Sequence, residues 1–198
     1  MEISDHELIQ QAISGSLESY DQLMERYQRL VFKVAYGFGK NKQNSMDITQ
    51  NVFLKAYENL ASFKGKGSFK AWIAKIAYHE GINWTKKNHP YEQSAIFDEV
   101  FMNQQEGIRQ EDEILTREHK AQLLHSLLSL NTRYRLAVVL RYFNEMPIKE
   151  ISGVLKCSEG VVKNMLHRSL RQLKQNLKEI PPGAQSGRGG SHERMQKI

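Results

Sequence analysis

The chain has 198 residues, a formal net charge of +6 and 40% hydrophobic residues, which allows one domain or two small ones. No apolar run approaches the roughly 20 residues that span a bilayer, and residues 1–6 are polar, so we expect neither a membrane insertion nor a signal peptide. Cys157 is the single cysteine and the histidines are scattered, which excludes an internal disulfide and gives little support to a metal site. We therefore expect a cytoplasmic protein that needs no metal or cofactor and takes no small-molecule substrate.

Charge divides the chain into blocks, with a net charge of +3 over residues 1–90, −6 over 91–118 and +7 over 119–180. Two basic blocks separated by an acidic stretch predict two modules, 1–90 and 118–180, joined by a flexible acidic linker at 91–117. For residues 91–110, an ordinary solvated segment is an equally good interpretation. The tail, residues 181–198, is rich in glycine and is predicted to be disordered.

The first module is predicted to be a bundle of helices. Ser4 and Glu7 form a capping-box pattern ahead of a short helix that ends at Gly15. Apolar residues then recur at steps of three and four from Tyr20 to Phe38, which predicts one long helix. A third helix is predicted to bury the apolar residues Met46, Val52, Phe53, Ala56, Tyr57 and Leu60. A fourth helix, capped by Ser68, is predicted to carry Phe69, Trp72, Ile73, Ile76 and Ala77.

The second module shows the pattern of a helix-turn-helix. Two leucine-rich helices precede a short amphipathic helix over residues 148–155, a turn at 156–158 and a last helix capped by Ser158. Lys156 stands where the exit of the short helix favours a left-handed residue, a position at which glycine is common. Cys157 is interpreted as a small core residue, and the last helix is predicted to bury Val162, Leu166, Leu173 and Leu177.

The outward face of the last helix is polar and basic. Alone, such a face is more often an ordinary solvated surface, but on the second helix of a helix-turn-helix it suits the DNA major groove. Lys, Arg and Asn side chains near its beginning can contact base edges, and arginines further along can neutralise phosphates.

Two separate stretches resemble one family. Residues 130–143 (LNTRYRLAVVLRYF) and 157–163 (CSEGVVK) resemble the promoter-reading C-terminal domain of bacterial sigma factors. Residues 46–57 (MDITQNVFLKAY) and 69–77 (FKAWIAKIA) resemble their N-terminal core domain. Their order is similar to that of the small extracytoplasmic-function (ECF) group of the sigma-70 superfamily. The resemblance implies an all-α fold of two small helical domains, a bundle and a helix-turn-helix domain.

The sequence departs from the family pattern at several positions. The usual Gln-Glu pair of the first motif is Gln50-Asn51, and the Asn and Asp of the fourth helix are His79 and Asn83. The Thr and Arg of the recognition helix are Val161 and Met165, so the promoter sequence does not carry over.

The resemblance also implies partners and sites. The implied partners are core RNA polymerase, promoter DNA and an anti-sigma factor, and the implied activity is promoter-specific transcription initiation without catalysis by the chain itself. The polymerase-binding residues would be Asp47, Gln50, Asn51 and Leu54. The residues that hold the melted minus-ten DNA would be Phe63, Lys64, Lys66, Lys75, Tyr78, His79, Asn83, Lys86 and Lys87. The residues that contact the minus-thirty-five DNA would be Ser158, Glu159, Gly160, Lys163, Asn164, His167, Arg168 and Arg171.

Two other functions compete with this interpretation. A helix-turn-helix regulator that acts without polymerase would need a sensing or dimerising first module, and no ligand pocket can be recognised in the sequence. A DNA-acting enzyme would need a clustered nucleophile or paired carboxylates, whereas Asp47 is isolated and the densest acidic residues lie in the linker.

Overall fold

The structure is a computed structural model that describes residues 3–65, 67–88 and 110–179, with side chains in the last range from 120 to 177. Within these ranges every regular element is helical, as predicted. The linker residues 91–109, Lys66 and the tail 181–198 lie outside the described residues, and so do the predictions made for them.

Four helices form the first module: α1 (Asp5–Ile13), α2 (Leu17–Gly39), α3 (Lys42–Asn59) and α4 (Phe69–Asn88). The predicted capping box is present, since the Ser4 hydroxyl accepts from the Glu7 amide and the Glu7 carboxylate accepts from the Ser4 amide. Ser68 caps α4, with its hydroxyl 3.1 Å from the Ala71 amide. Helix α2 lies centrally and packs against α1, α3 and α4.

The buried side of α3 differs in part from the predicted one. It buries Ile48, Val52 and Ala56, which are spaced four residues apart. Met46 and Tyr57 are exposed instead, and Phe53 is only half-buried. The prediction that Met46 and Tyr57 face inward is wrong. The side of α3 that faces α2 and α4 carries small and β-branched residues, whereas these two larger apolar residues lie outside it.

The second module contains α5 (Gln110–Ser129), α6 (Thr132–Val138), α7 (Ile148–Leu155) and α8 (Glu159–Glu179). Helix α6 continues as a π-helical turn over Val139–Phe143. Lys156 has φ 51° and ψ 54°, so the predicted left-handed exit of α7 is confirmed. Cys157 is half-buried against the core, whereas Leu177 is exposed, contrary to its predicted inward position.

Helix α5 begins inside the segment predicted as linker. The sequence of its first turn contains Glu111, Asp112 and Glu113, and acidic residues are favourable near the positive end of a helix dipole. A run of negative charge therefore did not mark the end of regular structure here.

The two modules contact each other. Helix α2 packs against α6 and its π-helical turn, and α4 packs against α7. Arg135 of α6 is 2% exposed and lies at this contact, and no local pattern predicts that this charge is buried.

Candidate nucleic-acid interface

The outer face of α3 carries all of the residues predicted to bind polymerase. Asp47, Gln50, Asn51 and Leu54 are exposed, and their spacing of three and four residues places them on one side of the helix. Leu54 is 63% exposed and is flanked by these polar side chains. An apolar side chain surrounded by polar groups can serve as the anchor of a protein-binding surface. We call this the α3 face.

Tyr57 extends the α3 face by one turn beyond Leu54. It is exposed, and its ring meets Tyr20 edge to face with ring centroids 4.9 Å apart. The Tyr20 hydroxyl donates to the Phe53 carbonyl at 2.5 Å, which fixes the Tyr20 ring beneath Tyr57. The sequence does not mark Tyr57 as a surface residue, because its three-residue step from Leu54 also fits a core position.

The loop between α3 and α4 contains the first residues predicted to hold minus-ten DNA. Phe63 is half-buried, with its ring 5.5 Å from Phe69 and 5.6 Å from Trp72, and Lys64 is exposed. Gly65 and Gly67 have φ angles of 69° and 97°, a backbone conformation that favours glycine. The loop thus brings an aromatic cluster and a lysine to the beginning of α4.

Four of the predicted residues on α4 are exposed at the surface: Lys75, Asn83, Lys86 and Lys87. Lys75, His79 and Asn83 follow one another at four-residue steps and share a face, and the lysines of the last turn continue the positive charge. His79 is half-buried on the same face.

Tyr78 does not belong to this surface. It is 7% exposed and lies in the core, with its ring 6.0 Å from that of Phe38. The adjacent Gly81 makes room for Phe38, since an added Cβ would lie 2.1 Å from that ring. The predicted contact of Tyr78 with DNA is therefore corrected, because the inward stripe of α4 includes position 78.

A cleft of about 310 Å³ opens between α3 and α4. Trp72 and Ile76 supply apolar walls, and the polar lining is formed by Lys55, Asn59, Ser62, Lys75, His79 and Glu80. Burial lowers the pKa of His79, and the positive charges of Lys156 and Lys75 lower it further against an opposite effect of Glu80. Among the described residues Nε2 of His79 has no hydrogen-bond partner. An aromatic wall beside cations and free polar atoms can accept an unstacked base and its phosphate.

Helix α8 presents the residues predicted for the minus-thirty-five DNA. Its buried side carries Val162, Leu166, Ser169 and Leu173, and Ser158 caps its beginning with the hydroxyl 3.3 Å from the Val161 amide. The opposite side is exposed at every predicted position, namely Ser158, Glu159, Gly160, Lys163, Asn164, His167, Arg168 and Arg171. We call this exposed side the α8 face.

Val161 adds an apolar group beside the α8 face. It is exposed, in contrast to the neighbouring Val162, which faces the core. An exposed methyl group on a recognition helix can contact the methyl group of thymine. Met165, at the other departure from the family pattern, is half-buried against the core.

The described residues contain neither a candidate metal cluster nor a membrane-spanning helix. Across residues 3–65, 67–88 and 110–179, no cluster of three His, Cys, Asp or Glu side chains could hold a metal ion. No helix in this part of the chain is long and apolar enough to cross a membrane.

Comparisons with known proteins identify the family of the chain. Sigma-70 region 2 matches residues 23–90, and Sigma-70 region 4 matches residues 120–173. The RNA polymerase sigma factor YlaC of Bacillus subtilis (strain 168) is 30% identical over 164 residues, which cover 81% of this chain and 92% of YlaC. The ECF RNA polymerase sigma factor SigW of the same strain is 26% identical over 190 residues, which cover 91% of this chain and all (100%) of SigW.

Two solved structures share the fold. CnrH in complex with the cytosolic domain of CnrY has a TM-score of 0.65 at 23% identity, covering 88% of this chain and 97% of CnrH. RpoE in complex with the anti-sigma factor NepR from Bartonella quintana has a TM-score of 0.66 at 17% identity, covering 82% of this chain and 99% of RpoE.

The two family matches define a transcription initiation factor with a Sigma-70 region 2 module followed by a region 4 module. The chain belongs to the sigma-70 family of RNA polymerase sigma factors, within its extracytoplasmic-function group.

Proposed function

We propose that this chain binds core RNA polymerase and directs it to promoters through three surfaces, without catalysis of its own. One observation carries the proposal: apart from Tyr78, the predicted residues that the structure describes lie at or near the surface and form coherent faces on α3, α4 and α8. Each face is backed by a buried apolar stripe, so its polar residues are held by the core and free to bind.

The α3 face docks on core polymerase in this proposal. Leu54 provides the apolar anchor, and the exposed Asp47, Gln50 and Asn51 provide the surrounding polar contacts. An interface usually draws most of its binding energy from a few anchors that become desolvated. Asn51 replaces the acidic residue of the family motif, which leaves Asp47 as the one negative charge on the α3 face.

The α4 surface and its preceding loop hold the melted minus-ten strand. Trp72 and Phe63 offer rings for base stacking, and Lys64, Lys75 and the lysines of the last turn neutralise the backbone. His79 and Asn83 take the positions of the family's Asn and Asp, so we expect an altered preference for the bases that they contact.

The α8 face enters the major groove at the minus-thirty-five element. Lys163 and Asn164 lie near the beginning of the helix, where base edges are contacted. Arg171 lies two turns further along, where the duplex presents its phosphates. The exposed acidic group Glu159 can accept a hydrogen bond from a cytosine amino group.

An anti-sigma factor is proposed as the regulatory partner. Two proteins that share the fold, CnrH and RpoE, have been solved with CnrY and with the anti-sigma factor NepR. A protein of this kind would act by covering one or more of the three surfaces.

The decisive experiment is co-purification with core polymerase. We expect the double variant Asp47→Lys, Gln50→Lys to lose association while remaining folded, because exposed substitutions cost little stability. The matched control is Glu25→Lys, Gln28→Lys, which makes the same changes at the same spacing on exposed positions of α2. Loss of association in both variants, or in neither, would contradict the docking assignment.

A further inference from the structure

An exposed valine borders the α8 face in the first turn of the helix. Val161 is 43% exposed, whereas Val162 is fully buried. The Ser158 hydroxyl accepts from the Val161 amide at 3.3 Å, so the backbone at this residue is held by the helix cap. A β-branched side chain in a helix strongly prefers one rotamer. The two methyl groups of Val161 are therefore presented to solvent in one direction.

The residue before this valine is a glycine that the chain itself does not require. Among the described residues, a Cβ added at Gly160 would meet only Oγ of Ser158, at 4.0 Å, which is an ordinary contact distance. Gly160 is also not one of the glycines with a positive φ angle. Glycine lowers the stability of a helix relative to alanine, but it lets another molecule approach the backbone closely. The bare backbone at Gly160 therefore suits a close approach from outside the chain.

The neighbours of Val161 on the helix surface favour DNA as the approaching molecule. Asn164 and Arg168 follow Val161 at steps of three and seven residues, so the three side chains form one row along α8, and both polar members are exposed. Leu170, another exposed apolar residue of α8, lies about two and a half turns further on and so faces the opposite side of the helix. Val161 is thus an apolar group in a polar and basic row.

An apolar side chain can read one feature of the major groove. Every base pair presents hydrogen-bonding groups there, and only thymine adds an apolar C5 methyl group. Val161 and Met165, the two departures of this helix from the family pattern, each replace a hydrogen-bonding side chain with an apolar one. Because Val161 has no donor or acceptor, it gains from contact with a thymine and offers nothing to the polar edges of the other bases.

We propose that Val161 selects a T·A pair at one position of the minus-thirty-five element by packing its methyl groups against the thymine methyl group. Gly160 lets the base edge come close to the beginning of α8, and Asn164, next in the same row, contacts a neighbouring base pair. This inference rests on the proposed function, since it requires α8 to lie in the major groove, and it adds the base that position 161 prefers.

The thymine methyl group can be removed without a change in base pairing, which gives a direct test. The upstream element that reconstituted holoenzyme prefers is first selected from a library of duplexes. Each thymine is then replaced singly by deoxyuridine, and the affinity of the holoenzyme is measured by competition with a fluorescein-labelled duplex. We expect one replacement to weaken binding about fourfold, which corresponds to one apolar carbon group left in water. In Val161→Ala the same replacement should change the affinity less than about 1.5-fold, because the methyl group has lost its partner.

Matched variants separate base reading from effects on folding. Leu170→Ala truncates a side chain that is 44% exposed on the opposite side of α8 and should discriminate thymine from uracil as the wild type does. Gly160→Ala should raise the melting temperature, as alanine does at a compatible glycine, and yet weaken binding to every duplex. Its control is Gly153→Ala on α7, where an added Cβ meets no described atom within 4 Å, and this variant should keep the wild-type affinity.

Three results would overturn the inference or part of it. Equal discrimination in the wild type and in Val161→Ala would assign the exposed valine to a protein contact instead of a thymine. Equal affinities of Gly160→Ala and Gly153→Ala would contradict the close approach of the base edge. A preferred upstream element in which no uracil replacement weakens binding would reject the role of Val161 alone. A wild-type holoenzyme with no preference among upstream elements would instead reject the proposed reading of DNA by α8.

Discussion

The exposed leucine of the α3 face gives the sharpest test of polymerase docking. Fully burying a leucine side chain contributes about 1.5–3 kcal/mol. Leu54 is 63% exposed. An interface that covers this exposed fraction therefore gains about 1–2 kcal/mol of binding free energy from the side chain. We therefore expect Leu54→Ala to weaken binding to core polymerase by about five- to thirty-fold.

The assay is fluorescence anisotropy of the labelled chain titrated with core polymerase. Leu17→Ala is the matched control, because Leu17 is 64% exposed but lies at the beginning of α2. Both variants should keep the wild-type melting temperature, since neither side chain is buried. Equal affinities for the Leu54 and Leu17 variants would refute the reasoning that places the anchor on α3.

Three further predictions concern DNA reading, stability and pH. In transcription from a library of upstream elements, Asn164→Ala should change which sequences are preferred. Arg171→Ala should instead weaken transcription from every sequence and reduce the salt dependence of binding by about one ion. Unchanged sequence preferences in the Asn164 variant would contradict base reading by α8. Arg135→Met should lower the free energy of unfolding, measured by urea denaturation followed by circular dichroism, by about 1–3 kcal/mol for each buried carbonyl that it leaves unpaired; a total loss below about 1 kcal/mol would show that water replaces the guanidinium. Burial, and after it the charge of Lys156, lowers the pKa of His79, so the folded chain favours the neutral ring. The melting temperature of the wild-type chain should therefore fall as the pH drops from about 7.5 to about 5.5. The melting temperature of His79→Asn should change less over this range, and an equal change would assign the effect to other groups.

The regular features of the fold could be read from the sequence because they depend on neighbours along the chain. The stripe of α2, the Ser4 capping box, the Ser68 cap and the left-handed Lys156 follow from local periodicity and end chemistry. The exposed α3 and α8 faces could be predicted for the same reason, because a helix with a clear buried stripe also has a defined outer side.

The remaining features depend on residues that are distant in sequence. Arg135 looks like a surface charge in the sequence, and only the meeting of its module with the end of α2 supplies the carbonyls that bury it. Tyr78 looks like a base-stacking aromatic until Gly81 brings Phe38 against it. Tyr57 looks like core until Tyr20 fills the space beneath it. In each case a tertiary partner reversed the expectation that the local pattern supported.

The aromatic cluster at the loop before α4 has a practical consequence. The chain has two tryptophans, Trp72 and Trp84, and both lie on α4. Trp72 packs against Phe63 and also lines the cleft between α3 and α4. Intrinsic tryptophan emission therefore comes entirely from the helix proposed to hold the melted strand. Stacking of a base on Trp72 should quench that emission, so strand capture can be timed by stopped flow without attaching a dye.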